Sequence, residues 1–190
     1  MKENSTETNG VKGKAFSTKS LVLMALFAAI LCVSAYISIP IPVAGAPHIT
    51  LLNFMILLIA VVFPVHQSFL IVLVWMLLGM LGLPVFIGGA SGVGYLITPW
   101  GGYTVSFILI AILLPLVRGK KYKRIRYTIM TVAAALLIDI LGMIWLMVNN
   151  GLSLKAGILT GFVPFLPLDV IKAVVAAQLA PVFIKILNKN

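Results

Sequence analysis

The stretch Phe162-Val-Pro-Phe-Leu-Pro-Leu-Asp169-Val-Ile-Lys172-Ala-Val-Val-Ala-Ala177-Gln-Leu-Ala-Pro-Val-Phe-Ile-Lys185-Ile-Leu187 is apolar enough to sit in a lipid bilayer, yet it carries an acid and a base three residues apart. A charge at the bilayer centre costs about 3 kcal/mol on insertion scales, so such residues face protein or water and mark a pathway or a ligand site. On a helix, positions i and i+3 share a face, so Asp169 and Lys172 can touch. Two readings are open: a self-neutralising pair that lowers insertion cost, or the polar part of a ligand site.

The rest of the chain fits a membrane setting. Its 190 residues are 62% hydrophobic and 9% charged, with a mean hydropathy of +1.17; soluble domains are about a quarter charged. Runs of roughly 20 apolar residues predict six membrane helices at Leu21–Ile39, Ile49–Val65, Ser68–Leu83, Gly102–Val117, Tyr127–Val148 and Phe162–Leu187. The expected fold class is therefore all-α integral membrane, with a six-helix membrane domain at 20–190 behind a polar tail at 1–19. The first helix reads as retained rather than as a signal peptide, because its apolar run is long and five more follow. There is no sign of a soluble domain or of a sequence repeat. Cys32, the only cysteine, excludes an internal disulfide and reads as packing.

Net charge is +10, but all 14 basic residues except Lys155 and Lys172 fall in the two ends and the loop 118–126. That distribution argues for cytoplasmic topology and against nucleic acid. Both termini are then cytoplasmic, and Asp169 lies near the outer end of helix six.

Residues 79–102 hold half of the chain's 16 glycines, with Pro84 and Pro99 between them, so this segment cannot be one helix. Val85, Phe86, Ile87, Tyr95, Leu96 and Ile97 make it too apolar for a solvated loop. Irregular backbone at membrane depth is tolerated where it is buried in protein or lines a cavity. It is read as a loop closing over a ligand, the alternative being a tight turn with helix-packing glycines. Gly89-x-x-Gly92-x-Gly94 lacks the strand and helix of a nucleotide loop.

Asp139, in mid helix five, is the other acid within the apolar segments; a polar partner for a neighbouring helix and a ligand role are both open for it. Asp169 alone is expected beside the outer pocket. Trp75, Trp100, Trp145 and Tyr103 read as interfacial anchors, with Trp100, next to the glycine loop, also a stacking residue for a ligand. Ala25 and Ala29, with Ala28 beside them, form a small-xxx-small surface on helix one, and Ala173 and Ala177 another on helix six; such surfaces allow close helix approach within a chain or between chains.

The run Gly79-Met-Leu-Gly82-Leu-Pro84-Val-Phe86-Ile-Gly88-Gly89, with Gly92-Val-Gly94-Tyr95-Leu96 and Pro99-Trp100-Gly101-Gly102-Tyr103, resembles the signature loop of the BioY family, the biotin-specific substrate-binding (S) components of energy-coupling factor (ECF) transporters. Pro47-His-Ile49-Thr50-Leu51, opening helix two, and Phe165-Leu-Pro167-Leu-Asp169-Val-Ile-Lys172, opening helix six, extend the likeness from helix one to helix six. The resemblance implies an ECF S-component fold in the bacterial cell membrane, in contact with membrane lipid, that captures biotin on the outer side without catalysing a reaction. It implies as partners a transmembrane coupling protein, docked on Ala25, Ala28 and Ala29, and two cytosolic ATPases. It implies Asp169 and Lys172 as polar contacts to biotin and the glycine loop, with Gly89, Gly92 and Tyr95, as its lid; Trp100 beside that loop and Asn53 are added as expected binding residues, with no metal and no cofactor. Departures from the family pattern are Leu52 for Gln, Thr98 for Gly, Trp100 for Thr and Leu168 for Gly, and Asn53 is the residue to supply the amide that Leu52 lacks. Another vitamin, such as lipoate or thiamine, is the alternative ligand. A self-sufficient secondary transporter would need its own coupling-ion site and commonly shows inverted repeats, whereas one broken region is visible here. A membrane enzyme would need an acid–base or metal constellation that His48 and His66 do not supply. No Gly-xxxx-Gly-Lys-Ser/Thr motif is present, so no ATP site is expected in this chain.

Overall fold

The computed structural model describes residues 18–40, 48–119 and 121–188. The polar tail as far as residue 17, Pro47, Lys120 and the last two residues lie outside them. In chain order the elements are α1 (Thr18–Ser34), β1 (Ser38–Pro40), β2 (His48–Thr50), α2 (Leu52–Val62), α3 (Val65–Met80), a 3-10 turn at Ile87–Gly89, α4 (Val93–Leu96), α5 (Gly101–Val117), α6 (Arg124–Asn150), α7 (Leu154–Gly161) and α8 (Leu166–Asn188).

The helical fold class is as expected, and each of the six apolar runs coincides with one of the six longer helices. Two short helices, α4 and α7, add to them. Not every run makes a full span, however. α6, with 27 residues, and α8 are long and apolar enough to cross a membrane, whereas α1, α2, α3 and α5 have 11 to 17 residues. At 11 residues α2 is about 16 Å long, well short of a hydrocarbon core of roughly 30 Å.

The shortening has identifiable causes. The expected first helix stops at Ser34, and the end of that run joins β1, which pairs antiparallel with β2 in the register Ser38↔Thr50 and Ile39↔Ile49. The β-branched Ile49 and Thr50 thus enter a strand rather than opening helix two. At the far end of α2, Phe63 is extended (φ −88°, ψ 154°) because the residue before a proline avoids helical geometry; Pro64 then caps α3, which starts at Val65. In the last run Pro164 delays the helix to Leu166, and Pro167 occupies its first turn, where the missing N–H costs no bond.

α2 is the centre of the bundle. Leu52, Ile56, Leu57, Ile59, Ala60 and Val61 are all fully buried, and the helix packs on α8, α5, α1, α6 and α3. A helix that is apolar all round belongs in a core. The outer helices turn residues such as Val22, Leu109, Leu116, Val148, Val182 and Ile186 outward, a surface suited to lipid rather than water.

One end of the bundle is basic. The Arg118 guanidinium donates to the Phe63 carbonyl at 2.9 Å and the Tyr127 hydroxyl at 2.6 Å, tying the end of α2 and the end of α5 to the start of α6. Gln67 donates to Ser20 at 2.9 Å, joining the starts of α3 and α1 there. The starts of α2, α5 and α8 therefore meet at the opposite end.

Candidate functional site

Asp169 stands in the first turn of α8, where the partial positive charge of a helix N-terminus favours a carboxylate. It is 2% exposed. Lys172 Nζ lies 2.8 Å from Asp169 Oδ1 and donates also to the Thr50 carbonyl at 2.9 Å. Asn53, in the first turn of α2, donates its amide to Asp169 Oδ2 at 2.8 Å. The buried charge is thus compensated by a cation and an amide, as burial demands. Three elements, α8, α2 and β2, supply the cluster, from two stretches of sequence, 50–53 and 169–172.

Tyr103, expected as an interfacial anchor, is instead buried beside this cluster. Its ring lies against Gly142 of α6, where a Cβ would overlap it, and its hydroxyl donates to the Gly161 carbonyl at the end of α7. The phenol is within electrostatic range of both Asp139 and Asp169. Phe165 and Trp100 flank it, with ring centroids 6.0 and 6.3 Å away. Tyr103 belongs to the site, and its place there depends on a glycine of another helix, a signal visible only in three dimensions.

Asp139 also moves. It is 1% exposed and neighbours Asp169 and Lys172, so the expectation that Asp169 alone stands at the site is corrected. The backbone carbonyl of Thr50 is a further member that side-chain reasoning could not find.

The glycine loop is a packed plug. Phe86 is fully buried, stacks on Tyr95 (centroids 4.9 Å apart) and meets Trp75 edge to face at 5.4 Å. Trp75 donates to the Val85 carbonyl at 2.9 Å and is fully buried, so it anchors the loop rather than an interface. Gly88 and Gly89 take φ of 69° and 78°, a turn that β-carbons disfavour, and the 3-10 turn they form packs on β2. That strand carries the Thr50 carbonyl that holds Lys172. Gly92 and Tyr95 serve the loop itself: Gly92 N–H bonds to the Gly79 carbonyl at 2.7 Å, and the Tyr95 hydroxyl pairs with Thr104 at 3.3 Å. Trp100 reaches the polar cluster through Tyr103. Trp145 is partly exposed and donates to the Thr98 carbonyl at 2.9 Å, which fits an anchor at a helix end.

The departures fall in different places. Leu52 is fully buried and Leu168 is 41% exposed. The Thr98 hydroxyl bonds back to the Tyr95 carbonyl at 2.6 Å.

Residues 5–189 match the model of the BioY family. The chain belongs to the BioY family. Among BioY relatives, biotin transporter BioY2 of Lactococcus lactis subsp. cremoris is 33% identical over 170 residues, 89% of this chain and 92% of that one. The probable biotin transporter BioY of Pyrococcus horikoshii is 36% identical over 162 residues, 85% and 94% of the respective chains. The fold matches the crystal structure of the S component for biotin from an ECF-type ABC transporter with a TM-score of 0.75 at 22% identity, covering 93% of this chain and 96% of the other. It also matches FolT bound with folic acid, with a TM-score of 0.61, 22% identity and coverage of 88% and 98%. A BioY chain with this fold is a membrane transport protein and not an enzyme.

Of the α1 alanines expected as a docking surface, Ala25 and Ala29 are exposed, whereas Ala28 is 6% exposed. Ala28 instead lines, with Ala25, a groove between α1 and α3.

Proposed function

We propose that the chain is the biotin-binding S component of an ECF-type importer, spanning the bacterial cell membrane several times. The observation that carries this reading is the Asn53–Asp169–Lys172 cluster in a chain of the BioY family, with the 3-10 turn of the glycine loop packed on the strand that carries Thr50. Biotin has a ureido ring with two N–H donors and one acceptor, an apolar thiophane and a carboxylate tail. A mostly apolar site with a few fixed polar groups suits such a molecule. In this reading Asp169 accepts a ureido N–H. Lys172 has three N–H donors, two of them engaged by Asp169 and the Thr50 carbonyl; the third is available to the ureido oxygen. Asn53 holds Asp169 in position.

Entry is from the end opposite the basic belt, which the positive-inside rule makes the outer side. The loop carrying Gly89, Gly92, Tyr95 and Trp100 serves as the lid. Ala25 and Ala29 form the docking face for the transmembrane coupling protein, through which two cytosolic ATPases supply the energy.

Calorimetric titration of the purified chain in detergent tests the ligand. Heat is expected with biotin and none with thiamine; the reverse would overturn the assignment. Asp169→Asn removes the charge from a buried hydrogen-bonded group, a loss of about 1.5–3 kcal/mol, or roughly ten- to a hundred-fold in affinity. Unchanged affinity in the folded variant would remove Asp169 from the site.

A further inference from the structure

The basic end of the bundle has no counter-charge among the described residues. Of the four acids in the chain, Glu3 and Glu7 lie outside those residues, and Asp139 and Asp169 are buried. Lys121, Lys123, Arg124 and Arg126, by contrast, are exposed at the turn into α6, and such a cluster attracts anions. Arg126 donates through Nη2 and Nε to the Val117 carbonyl at 2.8 and 3.3 Å, which fixes its guanidinium against the end of α5. A guanidinium has five donors, so others remain for an oxyanion.

Two hollows meet at this point. One, of about 590 Å³, is open to the surface and lined by Lys123, Arg124 and Arg126 together with Ile125, Ile129 and Met130. The other, of about 190 Å³, is a groove between α5 and α6, walled by Ile110, Leu114 and Val117 on one side and by Met130, Ala133 and Leu137 on the other. Met130 lines both, and Arg126 in the first is bonded to Val117 in the second. From Val117 to Ile110, and from Met130 to Leu137, the groove runs about 10 Å along each helix, against about 15 Å for half of a hydrocarbon core.

We infer that this composite groove binds an anionic phospholipid of the cytoplasmic leaflet, its phosphate on Lys123, Arg124 and Arg126 and one acyl chain between α5 and α6. Basic pockets at the cytoplasmic ends of membrane helices suit such headgroups. A soluble anion would use the hollow and leave the groove unfilled. A zwitterionic lipid would fill the groove but bring an ammonium toward three cations. An anionic lipid satisfies both parts. The site lies at the opposite end of the bundle from the Asn53–Asp169–Lys172 cluster, so it does not depend on the biotin reading.

The test is native mass spectrometry of the full-length chain released from detergent, with phosphatidylglycerol or phosphatidylcholine of identical acyl chains. Each basic residue near a membrane surface favours an anionic lipid about fivefold, so the parent is expected to prefer phosphatidylglycerol by roughly thirtyfold or more. The doubly substituted chain Lys123→Ser/Arg124→Ser is expected to lose most of that preference and to keep the parent's lipid-free thermal midpoint, because neither side chain has a hydrogen bond or ion pair among the described residues. Ala133→Trp, at an exposed position, fills the groove and is expected to displace phosphatidylglycerol although every charge remains. Equal binding of the two lipids by the parent would overturn the inference, as would a preference that survives in the double variant. A lowered lipid-free midpoint in that variant would overturn it in favour of a structural role. Competition by glycerophosphoglycerol, the headgroup without its chains, as effective as that of the intact lipid would give the hollow to a soluble anion. Unchanged phosphatidylglycerol binding by Ala133→Trp would empty the groove and overturn the inference. Parental lipid binding by the double variant with loss of coupling-protein pull-down would assign the basic surface to a protein partner instead.

Discussion

α1 and α8 carry the same small-xxx-small spacing, yet the bundle uses the two oppositely. Ala173, Ala176, Ala177 and Ala180 are all fully buried, on a helix that packs against α2 and α6. Ala25 and Ala29 are exposed, while their neighbours Phe27, Ala28 and Leu31 face inward. Phe27 meets Phe63, just past the end of α2, edge to face at 4.9 Å and Phe183 of α8 at 6.1 Å. In α8 the alanines are the contact, and close approach to α2 carries Asp169 to within bonding distance of Asn53. In α1 a phenylalanine makes the contact and two of the alanines face away. A stripe of small residues therefore records that something approaches closely, not whether the partner is the same chain.

The comparison can be broken most severely at α8. Ala177→Trp places a large ring where no space exists; inserting even a few methylenes into a packed core costs about 1–3 kcal/mol, and a whole indole far more. The expected result is loss of the monodisperse folded protein in size-exclusion chromatography. A folded, biotin-binding Ala177→Trp would show that the α2–α8 contact is loose.

At α1 the doubly substituted chain Ala25→Trp/Ala29→Trp is expected to stay folded and to bind biotin as the parent does, because both side chains point outward. Pull-down of the coupling protein and cellular biotin uptake should both fall to near background if this face is the docking surface. Normal uptake would reduce the α1 alanines to surface residues, and uptake without any coupling protein would favour a secondary transporter.

Ala28→Leu sharpens the contrast within one helix. Its position is buried, so about 1–3 kcal/mol of stability should be lost, visible as a lower unfolding midpoint with biotin affinity retained. The smallest effect is expected for Ala29→Ser, which keeps the side chain small. Uptake and thermal stability should both match the parent, and a marked loss of either would contradict an exposed, size-limited face.

Part of the candidate site was legible in the sequence. Asp169 and Lys172 stand out because an ionisable pair in an apolar run is costly, and their spacing puts them on one helix face. The glycines and prolines of 79–102 exclude a continuous helix on backbone grounds alone. Other features were misread for want of long-range information. An apolar Trp75 near a helix end reads as an anchor until the Val85 carbonyl arrives from the loop, and Asp139 reads as remote because 29 residues of chain separate it from Asp169.

The sequence by itself determined the apolar helices, the basic end of the chain's topology, the broken loop and the acid–base pair, since these follow from local composition, periodicity and backbone freedom. Tertiary structure alone decided that α2 is a short central helix, that Tyr103 slots against Gly142, that Asn53 and the Thr50 carbonyl complete the Asp169 cluster, and that Asp139 joins it. Those outcomes depend on which helix faces meet, a property of packing between residues distant in the chain that no local pattern encodes.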